Sequence, residues 1–268
     1  MDIAALASAA LMGLVEGITE FLPISSTGHL ILLGELIGFE GPPGKVFEVA
    51  IQLGAILAVV VVFWPRIMDL LRHMWRPGTE QRYYAMNIIL AFLPAMVLGA
   101  TLHGVITRLL FNPWVVSFAL IIGGVAIILI ERFRPRPQIH HVAEIGPLAA
   151  VLVGFGQVLA MIPGTSRSGA TIIAALLIGV ERRVAAEFSF MLAIPTMLAA
   201  TVYSLFKARS ELDFSGLGLI AVGFVVAFVV ALITVRAVLA VISRIGFTPF
   251  GWYRILLGGL MLVILSMR

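Results

Sequence analysis

Glu16-Gly17-Ile18-Thr19-Glu20-Phe21-Leu22-Pro23-Ile24-Ser25-Ser26-Thr27-Gly28-His29 and Pro163-Gly164-Thr165-Ser166-Arg167-Ser168-Gly169 are two polar stretches in an otherwise apolar chain. Each lies between apolar runs too short to cross a bilayer. A spanning helix needs about 20 apolar residues, whereas Ile3–Val15 supplies 13 and Leu30–Gly38 fewer. Pro147–Ile162 and Ala170–Val180, which flank the second stretch, are also short. Interrupted apolar segments in corresponding halves of a membrane protein point to a site at the interface of the halves. Each stretch therefore predicts a re-entrant helical hairpin, and the two tips are expected to form one site near mid-membrane.

The rest of the composition agrees. Of 268 residues 61% are hydrophobic and 12% charged, with a mean hydropathy of +1.10; soluble domains carry about 25% charged residues. An all-α integral membrane protein follows, a single membrane domain over 1–268. A β-barrel is excluded, because its strands alternate over about 10 residues instead of running continuously apolar. The net charge of +4 is spread over short loops, which suits anionic lipid and excludes nucleic acid as a partner. The absence of cysteine removes disulfides and thiolate catalysis. Met1-Asp2 lacks the basic start of a signal peptide, so none is expected.

Six spans are expected, near 46–64, 85–107, 114–130, 187–206, 216–243 and 250–267, with Pro65–Tyr84 and Glu131–Ile145 as linkers. The chain then repeats itself. Gly13-x-x-Glu16 matches Gly154-x-x-Gln157, and Ser25-Ser26-Thr27-Gly28 matches Ser166-Arg167-Ser168-Gly169, both at an offset of 141. Phe47 matches Phe188 at the same offset, and Phe111-x-Pro113 matches Phe247-x-Pro249 at 136. The repeat halves are 1–140 and 141–268, each with one hairpin and three spans. An odd number of spans inverts the second half relative to the first, the inverted-topology repeat of many transporter folds. Arg66, Arg72, Arg76, Arg82, Arg132, Arg134, Arg136, Arg182, Arg183 and Arg244 fall on one side, against Lys45, Arg108, Lys207, Arg209 and Arg268 on the other. The first side is expected in the cytoplasm.

Glu16 and Glu20 are four apart, so on a helix they share a face. Ionisable groups at membrane depth are costly and mark function. The pair suits a divalent cation on phosphate oxygens, Mg²⁺ or Ca²⁺, or a general base; helix capping is the structural alternative. Ser25, Ser26, Thr27 and Gly28 follow a proline and open a helix, which is N-cap chemistry and also an anion cradle. His29 lies three residues after Ser26, and a role in proton transfer is expected for it. Arg167, flanked by Thr165, Ser166 and Ser168, needs a carboxylate or an anionic ligand at that depth. Glu48, Gln52 and Gln157 are expected behind the site. Arg236 and Arg254 fall near span ends and are expected to snorkel. His140-His141 reads as a solvated loop.

The Ser166-Arg167 pair invites comparison with the acid-phosphatase-like lipid phosphatases. They need a His and then an Asp after it, and residues 168–179 contain neither. The closer likeness is carried by Glu16-Gly-x-Thr-Glu20-Phe-Leu-Pro23-x-Ser-Ser-Thr-Gly28-His29, Phe47-Glu48-x-x-Ile51-Gln52-Leu53-Gly54, Pro163-Gly-Thr-Ser-Arg167-Ser-Gly-Ala170 and Ala186-Glu187-Phe188-Ser189-Phe190. Together these resemble the bacterial undecaprenyl-diphosphate phosphatases of the bacitracin-resistance type, over nearly the whole chain. The resemblance implies removal of the terminal phosphate of a C55 isoprenyl diphosphate at the outer face of the bacterial plasma (inner) membrane. It implies dependence on a divalent cation and important residues at Glu16, Glu20, Ser26, His29 and Arg167. Expected partners are the isoprenyl diphosphate and membrane lipids, with a homodimer allowed. Ser26 as nucleophile, relieved of its proton by His29 or a Glu, and a water activated by a cation on Glu16 and Glu20 are both open mechanisms. A transporter or flippase of a lipid-linked phosphate is the alternative function, since fold alone does not decide.

Overall fold

The computed structural model describes residues 3–39, 41, 46–110, 112–207 and 216–267. Lys45, Arg209, Arg268 and the side chain of Arg108, all used in the charge count, lie outside the described residues. Among the described residues eleven α-helices run in order: α1 Ile3–Thr19, α2 Ser26–Ile37, α3 Val46–Val62, α4 Trp64–His73, α5 Glu80–Leu110, α6 Pro113–Phe133, α7 Pro147–Leu159, α8 Arg167–Leu177, α9 Arg182–Lys207, α10 Leu217–Ile245 and α11 Thr248–Ser266. The one β feature among the described residues is a bridge between Ile139 and Val180. Helices are the natural outcome here, because lipid offers no partner to an open backbone hydrogen bond.

α5, α6, α9, α10 and α11 are each long and apolar enough to cross a membrane. The chain is therefore an all-helical, multi-pass membrane protein. α3 and α4 pass the same test only as a pair, bent by 72°. The sequence predicts a span ending near 64 and a linker over Pro65–Tyr84; the structure builds a helix there, Trp64–His73. Pro65 lacks an N–H and lies in the first turn of the new helix that starts at Trp64, where no helical backbone bond is lost. Ile67 and Leu70 of α4 pack on the core. On the same helix Arg66 pairs with Glu187 at 3.1 Å and lies 5.0 Å from the Tyr84 ring centre.

The four short helices α1, α2, α7 and α8 carry the two polar stretches. Between apolar helices in lipid, association depends on close packing, which small residues permit. α1 lies along α10 and α7 along α5. A Cβ on Gly13 would stand 2.4 Å from the Gly223 carbonyl oxygen, and one on Gly154 2.5 Å from that of Ala91. α6 packs on α11, and α3 on α10 and α9. The largest buried cluster includes Phe21, Phe188 and Phe190. Phe21 meets Phe190 edge to face, with ring centres 5.4 Å apart, which seats the first break in the core.

The expected linker over 131–145 begins later, because α6 runs through Phe133; residues 134–145 form the loop, with a short 3₁₀ turn over Val142–Glu144. The exposed His140 and His141 meet Glu181 and Glu80 at 3.1 and 3.4 Å. Glu144 accepts the backbone N–H groups of His140 and His141, which hold its carboxyl below the usual range. Arg182, Arg134 and Glu131 join this loop region to α9 by ion pairs.

Candidate active site

α1 stays helical through Thr19, so the first break is short and Glu16 belongs to the helix. The Glu20 N–H still bonds the Glu16 carbonyl at 3.0 Å, which continues the turn. The Glu20 carboxylate is the hub of the site. Its Oε2 accepts from Ser26 Oγ at 2.6 Å, and its Oε1 accepts from Arg167 Nη2 at 3.0 Å. The two polar stretches, from opposite halves of the chain, thus meet as expected.

Arg167 is held from its other side. Its Nη1 donates to the Ser189 carbonyl at 3.2 Å, and the guanidinium lies 5.9 Å from the Phe21 ring centre. Ser189 Oγ bonds Thr171 Oγ1 at 2.6 Å. The Arg167 and Glu20 side chains are 12% and 7% exposed, so removing either leaves a buried charge unpaired, at a cost of about 3–5 kcal/mol. Three polar atoms at this level have no protein partner: Glu16 Oε2, Arg167 Nε and Gln157 Nε2.

Ser26 and Arg167 are the first residues of α2 and α8. Ser25 and Ser166, immediately before them, are the two non-glycine residues with positive φ among those described, at 68° and 72°. Ser25 makes no side-chain cap, which leaves the first N–H groups of α2 without an acceptor from that residue. Ser166 Oγ caps α8 by accepting from Gly169 N at 3.2 Å. Ser168 is spent differently. Its hydroxyl bonds the Leu22 carbonyl at 2.9 Å and fastens the second break to the first. Thr27 and Thr165 are half-buried, and the buried Gly28 faces Val116 and Leu120 of α6, where a Cβ would make ordinary contact at 3.4 Å.

His29 points elsewhere. Its Nδ1 lies 2.7 Å from the Ser25 carbonyl oxygen and its Nε2 2.7 Å from the Tyr253 hydroxyl. A carbonyl only accepts, so Nδ1 carries the proton and Nε2 accepts from Tyr253. The two rings stack 5.5 Å apart. Ser26 therefore has Glu20, not His29, as its hydrogen-bond acceptor.

Gln157 is buried, and its Oε1 accepts from Thr196 Oγ1 at 3.3 Å. It lines, with Arg167, a cavity of about 350 Å³ between α5, α7 and α9. The other walls include Phe92, Met96, Met161 and Tyr203. The cavity is thus apolar except where it reaches the site. Glu48 is exposed and Gln52 half-buried on α3.

Arg254 corrects the sequence reading. It does not snorkel but is fully buried, with its guanidinium directed at backbone carbonyls of both breaks. Helix position near a span end suggested a route to water; the glycine at 123 of α6, where a Cβ would lie only 2.1 Å from Arg254 Nη2, opens an inward route instead. Arg254, Tyr253, Thr171 and Ser189 are site residues that sequence reasoning did not select. An arginine and a tyrosine adjacent in a span were the available signal.

Comparison with known proteins closes the case for kinship. The family model described as bacitracin resistance protein BacA matches residues 9–260. The chain is 54% identical over 260 residues to a protein of Paramagnetospirillum magneticum named undecaprenyl-diphosphatase 2, covering 97% of this chain and 99% of that one. It is 50% identical over 254 residues to the undecaprenyl-diphosphatase of Sphingopyxis alaskensis, covering 95% and 96%. With two breaks meeting at Glu20 and a family match across nearly the entire length, this chain belongs to the bacitracin resistance protein BacA family.

Proposed function

We propose that this protein hydrolyses undecaprenyl diphosphate to undecaprenyl phosphate and inorganic phosphate, the activity for which its relatives are named. The observation that carries the mechanism is the Ser26–Glu20–Arg167 contact set. Ser26 Oγ attacks the terminal phosphorus and passes its proton to Glu20 Oε2. The bond from that phosphorus to the bridging oxygen breaks, and undecaprenyl phosphate leaves with the electron pair. Water then attacks the phosphoserine phosphorus, the bond from phosphorus to Ser26 Oγ breaks, Glu20 Oε2 returns its proton to that oxygen, and inorganic phosphate leaves with the water's oxygen. Arg167 and the first N–H groups of α2 counter the charge of the transferring group, which is the main demand of phosphoryl transfer.

The donor set fits a divalent cation. Glu16 holds a buried oxygen without a protein partner, and Glu20 follows one turn later. Among the described residues no three acidic or His groups converge, so substrate oxygens would complete the coordination, as is usual for Mg²⁺. Bound there, the ion would neutralise diphosphate charge.

The site is read as opening outward on the plasma membrane, supported by the excess of arginine on the opposite loops. Two re-entrant hairpins in an inverted repeat are supported by three parallels. Ser25 and Ser166 share a rare backbone conformation. Gly13 and Gly154 make equivalent close approaches. The first arm of each hairpin packs on a helix of the other half.

Purified protein in detergent, given a C55 isoprenyl diphosphate and Mg²⁺, should release phosphate, and chelation should stop it. Detergent micelles have no two sides, so binding without release would reject hydrolysis and leave the carrier reading.

A further inference from the structure

The site holds two strained residues, and one buried cation touches the backbone beside both. Ser25 (φ 68°, ψ 95°) and Ser166 (φ 72°, ψ 118°) occupy a region that suits glycine. Each is strained and persists only where its surroundings over-determine it. Ser25 sets the direction in which Ser26 leaves the break, and Ser166 does so for Arg167.

Arg254 meets five carbonyl oxygens. Nη1 donates to Pro23 at 3.2 Å and to Thr165 at 2.8 Å. Nη2 donates to Gly164 at 2.9 Å and to Ala119 at 3.0 Å. Nε donates to Leu120 at 3.3 Å. A guanidinium has five N–H groups in a rigid fork, so its full capacity is used. The acceptors come from three places: the first break, the second break and α6. Pro23 lies two residues before Ser25, and Gly164 and Thr165 lie directly before Ser166.

We infer that Arg254 is a positioning residue that locks both breaks to α6 and holds Ser25 and Ser166 in their strained conformations, so that Ser26 and Arg167 converge on Glu20. The inference rests on the proposed hydrolysis only for its kinetic consequence. An ammonium brings three donors to five carbonyls, so lysine replaces the charge without the lock. Methionine fills much of the volume with no donor.

Two measurements test it on the purified full-length protein. In hydrogen–deuterium exchange, Arg254→Met should raise exchange at 22–28 and 163–169 together while α10 stays protected. This readout is independent of activity, so it stands even if the parent releases no phosphate. In phosphate release, Arg254→Met should lower kcat at least about 30-fold and Arg254→Lys about 10-fold, with the folded elution peak retained. Adding Ser25→Gly to Arg254→Met should restore kcat at least about threefold, and adding Ser25→Ala should not. Both remove the hydroxyl, and only glycine relieves the positive φ. The inference is overturned if the two breaks keep parental exchange, or if exchange rises throughout the protein. With an active parent, equal behaviour of the glycine and alanine double variants also overturns it. Loss of the folded peak in both Arg254 variants does the same, because Arg254 would then support the whole fold.

Discussion

At the scale of single residues, the site divides hydroxyls that look alike in the sequence. Ser26 bonds a carboxylate, Ser168 bonds a carbonyl and Ser166 caps a helix. Only the first has an acceptor able to take a proton. Ser26→Ala should therefore lower kcat about 10³-fold or more, roughly 4 kcal/mol in the barrier, while diphosphate binding changes little. Thr27→Ala is the neighbouring control. Turnover of Ser26→Ala above about a tenth of the parental value would make Ser26 a phosphate ligand only. Arg167→Lys keeps the charge but loses the fork that spans Glu20 and the Ser189 carbonyl. Most of the activity should go with it, measured in the same assay.

At the scale of elements, the hairpin arms reach the core through backbone-to-backbone approaches. Gly13 of α1 and Gly154 of α7 have carbonyl oxygens of α10 and α5 where a methyl group would stand. Elsewhere in a helix, glycine to alanine stabilises by about 0.5–1 kcal/mol through backbone entropy. Gly259 of α11 has no atom within 4 Å of a built Cβ, so Gly259→Ala should leave thermal unfolding in detergent unchanged or raise its midpoint. Gly13→Ala and Gly154→Ala should lower it, by an overpacking cost of about 1–3 kcal/mol. Equal midpoints for all three variants would mean that α1 and α7 do not pack as closely as described.

For the whole molecule, the arrangement of α1 on α10 and α7 on α5 interlocks the halves. Neither half alone assembles Glu20 with Arg167. If the repeat is inverted, the loop at 134–141 and the end of α11 lie on opposite sides of the membrane. Reporter fusions in that loop and after residue 268 should then give opposite answers, the loop fusion cytoplasmic. Two cytoplasmic answers would reject the inversion while leaving the Glu20–Arg167 contact untouched.

The sequence by itself determined the class of protein, the two breaks and the choice of Glu20 and Arg167 as candidates. Lipid makes every charge and every interrupted helix expensive, so such features stand out along the chain without knowledge of neighbours. It also carried the match between Ser25 and Ser166, because their spacing is a property of the chain. Tertiary structure alone decided which group each side chain faces. His29 turns to Tyr253 and leaves Ser26 to Glu20. Arg254 turns inward because Gly123 of α6 leaves room for it. The helix α4 was missed because its apolar stripe is short and its boundary proline read as a linker. Hydrogen bonds are short-ranged and directional, so their partners depend on which helix lies alongside. In this chain those partners are supplied from as far as 224 and 231 residues away.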